Sequence, residues 1–143
     1  MYESYTKQAL PEKGYRELIG TAICVFNSNN AFIIENIIRT DPEQDWYSLI
    51  DYTSGQLKPT VEKIFSEKIG NDDIFNLFSD LINRRNRIVH SYQITAEDGS
   101  QILATKEKTS DGNKQFIITE KYIREFITLN EKLSSKLHNY RGY

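Results

Sequence analysis

The residues of this chain best suited to chemistry form one short run, Arg84-Arg85-Asn86-Arg87-Ile88-Val89-His90. An unperturbed imidazole titrates near pH ~6.5, so His90 is of a type that transfers protons near neutrality. Arginine stays charged and offers planar donors that match phosphate. Together these types suffice to cleave RNA without a metal. His90 would take the 2′-OH proton or protonate the 5′-oxygen leaving group, while an arginine stabilises charge on the phosphorus. The ribose hydroxyl is then the internal nucleophile, and no serine, cysteine or metal-bound water is needed.

Other chemistries find little to work with. The chain has one cysteine and two histidines, His90 and His138. No Cys/His metal spacing, phosphate-cradling glycine loop or nucleophile-elbow motif occurs, so neither a metal nor a cofactor is expected. Cys24 lies between Ile23 and Val25, and those flanks predict a buried, reduced thiol, which suits a cytoplasmic setting. The start of the chain shows no basic segment followed by an apolar one, and no apolar run reaches the ~20 residues of a membrane span. Lys and Arg number 18 against 20 Asp and Glu, a net charge of -2. Nucleic acid therefore has to be held by a local cluster, and the arginines at 84, 85 and 87 are the densest one. The mixed block Lys106-Glu107-Lys108 reads as solvated surface, and His138, near the tail, reads the same way.

The elements that must position this run follow from apolar spacing. With 143 residues the chain is of single-domain size. The polar, tyrosine-rich segment to Lys13 reads as an irregular arm. From Tyr15 apolar residues recur at helical spacing through Ile19, Ala22, Ile23, Phe26, Ile33 and Ile37, interrupted by Asn27-Ser28-Asn29-Asn30 as either a kink or a polar belt. A helix is expected over Glu43–Tyr52 with Trp46, Leu49 and Ile50 inward, and another from Lys58 or Pro59 to Lys68, stopped by Gly70-Asn71. The strongest pattern is Ile74, Leu77, Phe78, Leu81, Ile82, Arg85, Ile88 and Val89, a helix from about Asp73 to the neighbourhood of His90. Short β-prone runs follow between Tyr92 and Ile118, separated by Asp98-Gly99 and Asp111-Gly112, which are hairpin signals. A last helix opens at Thr119-Glu120 and runs to about His138. The expected fold is mainly α: an antiparallel four- to five-helix bundle with a β-hairpin inserted, at about 92–118, before the last helix.

The segment Arg85-Asn86-Arg87-Ile88-Val89-His90 resembles the R-x4-6-H signature of HEPN domains, in the form with a polar residue directly after the arginine. The resemblance covers the domain in outline, with the motif at the end of a strong amphipathic helix and a closing helix after it. It implies a metal-independent endoribonuclease of toxin–antitoxin or abortive-infection type, active as a homodimer, leaving 2′,3′-cyclic phosphate and 5′-OH ends. Arg85, His90 and Asn86 would be its catalytic set and Arg84 and Arg87 its contacts to flanking RNA. The extension to Tyr92 looks like the R-x4-H-x-Y motif of toxins silenced by a nucleotidyltransferase antitoxin, with Tyr92 as the modified residue. The long β-prone insertion departs from the compact toxins of that group.

Geometry adds a condition. On an ideal helix Arg85 and His90 point roughly 140° apart. One helix cannot aim both at one phosphate unless it loosens near His90 or a second copy contributes across a two-fold axis. Blander accounts compete. A cation at a helix C-terminus is favoured by the dipole alone, which serves His90, Arg84 and Arg87 equally. Arg85 also fits as a structural arginine, Asp80 as an orienting partner, and Tyr92 as a strand residue packed on the bundle. A silent HEPN-like RNA-binding or scaffolding module, and a helical interaction domain with an accidental motif, are the two alternative functions.

Overall fold

The computed structural model describes residues 1–142. Its helices are α1 (Lys13–Thr40), α2 (Trp46–Asp51), α3 (Ser54–Val61), α4 (Glu67–Ile69), α5 (Asp73–Val89) and α6 (Glu120–Arg141). A π-helical turn, Glu62–Ser66, joins α3 to α4. Between α5 and α6 lie three strands, β1 (Tyr92–Thr95), β2 (Gln101–Thr109) and β3 (Gly112–Ile117), paired antiparallel in the order β1-β2-β3. The molecule is thus mainly helical with one small sheet.

The core is built by one aromatic from each long helix. The Phe26 ring lies 6.3 Å from that of Phe78 and 6.1 Å from that of Phe126, all three fully buried. Each such burial contributes about 1.5–3 kcal/mol. Ile33, Ile37, Leu57, Phe65, Leu81, Leu133 and Leu137 belong to the same cluster. α1 runs without a break through Asn27-Ser28-Asn29-Asn30, so the tract is a polar belt and not a kink. Asn29 is buried there and donates to the carbonyl and side-chain oxygens of Asn130 on α6. Among the described residues α1 alone is long and apolar enough to cross a membrane; the residues it buries join this core.

Helix directions differ from an all-antiparallel bundle. Tyr15 meets Ile118, Asn29 meets Asn130 and Glu35 meets Arg141, so α1 and α6 run the same way. Asp73 lies by Lys136 and Arg84 by Glu125, so α5 runs against α6. Three helices that all touch one another cannot all be antiparallel, and here the sheet carries the chain from the end of α5 to the start of α6.

Local signals explain the boundaries. Thr53 and Gln56 form a reciprocal capping box, which starts α3 at Ser54, four residues before the Lys58 that proline placement suggests. Gly70 ends α4 with φ 86°, a conformation only glycine adopts cheaply. Gly99 does the same in the β1–β2 turn with φ 87°. α2 is shorter than expected and buries only Leu49; Trp46 and Ile50 are exposed, contrary to the inward face expected of them. Cys24 is exposed too, contrary to expectation. Its sequence neighbours are apolar, but on a helix adjacent residues diverge by about 100°, and the buried stripe runs through Ala22, Phe26 and Asn29.

Candidate functional site

α5 delivers the arginine run to the end of the molecule that carries the sheet. Ile74, Phe78, Leu81, Ile82 and Ile88 seat the helix in the core, while Val89 at its end is exposed. The helical hydrogen-bond pattern persists to the motif's last residue: the His90 N–H donates to the Asn86 carbonyl at 2.9 Å. Ser91 Oγ then donates to the Ile88 carbonyl at 2.7 Å and closes the turn. His90 is the C-cap, exposed, with φ -96° and ψ 25°. The helix does not loosen before His90, so Arg85 and His90 keep an angular separation of roughly 140°.

The three arginines have separate surroundings. Arg85 is half-buried, its guanidinium 4.8 Å from the centre of the Phe26 ring, and its Nε donates to Asn86 Oδ1 at 3.1 Å. Burial holds its pKa below the usual arginine value. Among the described residues no carboxylate lies within ion-pairing distance of it. Arg84 points elsewhere. Its Nε donates to both oxygens of Asp80 at 3.2 Å, Nη1 lies 3.9 Å from Glu125, and the guanidinium sits 5.9 Å from the Tyr122 ring. Arg87 turns to the sheet, where Nη1 donates to the Lys106 carbonyl, while its buried Nε has no hydrogen-bond partner. Asp80 is therefore an orienting partner of Arg84, one turn away, as its spacing suggests.

The fold thus brings Arg85 and Asn86 together and leaves His90 at the helix end, with no side-chain hydrogen bond joining it to either among the described residues. Tyr92 opens β1 opposite Ala104 and is exposed, so it is a strand residue whose ring is not packed into the bundle. Phe26, Glu125, Tyr122 and the Lys106 carbonyl complete the surroundings. They come from distant segments, and only the apolar stripe through Phe26 was visible in the sequence.

Arg84 stands on a ridge between two open clefts. One of about 690 Å³ lies along α6 and is lined by Arg84, Lys121, Arg124, Glu125 and Leu129 among others. The second, about 390 Å³, is bounded by Asn83, Lys114, Phe116 and Tyr122. Burial raises the pKa of Tyr122, which Arg84 partly opposes, so its phenol stays neutral well into alkaline solution. Among the described residues no group of three or more His, Cys, Asp or Glu is placed to hold a metal ion. Chemically, the α5 end offers an anion-seeking guanidinium and a solvent-facing imidazole, while the clefts that flank Arg84 mix cations with the carboxylates of Asp80, Glu107, Glu120 and Glu125. Comparison with known proteins adds no relative to this description: no protein family, no curated protein and no solved structure matches the chain.

Proposed function

We propose that this chain is a metal-independent endoribonuclease of the HEPN type that works as a homodimer in the cytoplasm. The observation that carries the reading is Arg85, a half-buried guanidinium that no carboxylate among the described residues neutralises and that Asn86 orients. A desolvated cation left without an anion is costly to the fold and favours a site that receives one from outside. In this reading the anion is the scissile phosphate. Arg85 stabilises its developing charge, His90 moves the proton of the 2′-OH or of the leaving oxygen, and Asn86 holds Arg85 in place. The products are a 2′,3′-cyclic phosphate and a 5′-OH. Because Arg85 and His90 diverge on one helix, each cleft draws on both copies of the motif. We take α1, α3, α5 and α6 as the bundle of such a domain, with α2 as a fifth helix and the strands inserted before the last. Arg84 contacts flanking RNA after releasing Asp80, and Arg87 contributes from the sheet side. The setting is a toxin or phage-defence system, with exposed Tyr92 as the residue through which a nucleotidyltransferase or other antitoxin partner silences the enzyme.

A second reading, a silent module that binds RNA without cutting it, draws on one specific observation: among the described residues His90 has no side-chain hydrogen bond to Arg85 or Asn86, which are joined to each other. Incubation with mixed RNA in EDTA separates the two. Cleavage that persists in EDTA and disappears in His90→Ala is the expected result. Binding without cleavage, lost in Arg85→Ala, establishes the silent module. Cleavage unchanged in His90→Ala removes the histidine from the mechanism altogether.

A further inference from the structure

The strongest unassigned feature lies on α2, remote in sequence from the arginine run. Trp46 is 47% exposed and Tyr47 75%, and their rings meet edge to face, with centroids 5.4 Å apart and planes at 89°. Ile50 and Tyr52 beside them are also exposed. A six-residue helix that buries only Leu49 gains little from two exposed aromatics and a third just after its end, so the fold gives no reason for them. The segment Asp41–Tyr52 carries Asp41, Glu43, Asp45 and Asp51 and no basic residue. Asp45 is fixed as the α2 N-cap, accepting from Ser48 N at 3.2 Å and Ser48 Oγ at 2.8 Å.

Among the described residues no lysine or arginine of this chain lies within 6 Å of the centre of the Trp46 or Tyr47 ring, as one does at six other rings, so both are open to a cation from elsewhere. Eight further aromatics among the described residues also lack one, and the case for this pair rests on its exposure and acidic setting. Two exposed rings at right angles, in a segment whose charged residues are all acidic, are matched to a cationic side chain from outside. Guanidinium fits better than ammonium, because it stacks flat on a ring while donating in a fork to a carboxylate.

We infer that the α2 face, with exposed Trp46 and Tyr47, Asp51 one turn after Tyr47 and Glu43 in the preceding turn, docks an arginine-bearing segment of a partner protein. Negative charge on this face disfavours nucleic acid and favours a basic peptide. The inference does not depend on the ribonuclease reading.

Trp46 is the only tryptophan in the chain, so its emission reports directly on this face. The probe is a nona-arginine peptide titrated at low salt, with nona-lysine and an uncharged Gly/Ser peptide of equal length as controls. The expected result is a saturable change in Trp46 emission with nona-arginine, weaker binding of nona-lysine and none of the neutral peptide. Tyr47→Ala should weaken nona-arginine binding about five-fold. The exposed pair Glu43→Gln/Asp51→Asn should weaken it by a similar factor and flatten its salt dependence. No saturable change in the wild-type chain overturns the proposal, as does binding indifferent to Tyr47→Ala and to the charge variants. If Trp46 emission instead shifts to the red as a dimer dissociates on dilution, a second copy is the occupant and the proposal fails. Circular dichroism of each variant confirms that α2 and the core are intact.

Discussion

Replacing Arg85 with methionine asks whether this guanidinium serves the fold or a ligand. The variant loses the 3.1 Å hydrogen bond from Nε to Asn86, worth about 0.5–1.5 kcal/mol. It also loses the cation over Phe26 at 4.8 Å, worth about 0.5–2 kcal/mol. Against this, a half-buried charge that burial already disfavours is removed. The thioether regains contact with the same ring, contributing about 0.3–1.5 kcal/mol. The terms nearly cancel, so stability should stay within about 1 kcal/mol of wild type in urea unfolding. Cleavage should fall by about 10²–10³-fold, as when one donor to a developing oxyanion is removed. Urea melts and RNA cleavage on the same preparation give both numbers. A loss of more than about 3 kcal/mol, the cost of breaking a buried ionic contact, would show that Arg85 holds the fold together and refute the reasoning.

Three further outcomes follow from the same structure. Asn130→Ala removes an acceptor of buried Asn29 and the donor to the Phe126 carbonyl, and should cost about 1–3 kcal/mol in urea melts. Thr53→Ala breaks the capping box of α3 and should cost about 0.5–2 kcal/mol; an unchanged melt would mean the box adds nothing there. Burial raises the pKa values of Tyr15 and Tyr122 above the ordinary phenol value near 10. Their contribution to stability is therefore complete below about pH 10 and is lost as pH rises through the raised folded values. Unfolding free energy should decline in that alkaline window, and Tyr122→Phe should decline less steeply; an identical slope would remove Tyr122 from the effect.

How much of this was legible in the sequence varied with the length of each signal. α5 was visible almost to the residue, because eight apolar or semi-apolar positions repeat at helical spacing and His90 falls where the core stripe ends. The Asp98-Gly99 and Asp111-Gly112 pairs located the turns of the sheet, since left-handed backbone has few cheap residues. α2 was misread: a Trp/Leu/Ile pattern looks inward-facing, yet one and a half turns have room to bury Leu49 alone. α3 was started too late because Pro59 reads as a first-turn residue, whereas Thr53 with Gln56 caps the helix upstream of it. At the site, Arg85, Asn86 and His90 could be named from types and spacing. Their fates could not. Arg84 pairs with Asp80, as spacing suggests, but also reaches Glu125, and Arg87 the Lys106 carbonyl; these last two partners lie in segments whose position only the fold sets.

The central claim is that Arg85 and His90 act on one phosphate from two copies of the chain. Its most direct test is RNA cleavage in EDTA by Arg85→Ala, by His90→Ala, and by the two mixed and allowed to exchange subunits. Each variant alone should be inactive. The mixture should regain cleavage with 2′,3′-cyclic phosphate ends, because a mixed dimer rebuilds one cleft holding an intact Arg85 and an intact His90 from different protomers. A mixture as inactive as its parts, although subunit exchange is demonstrated, would contradict the account.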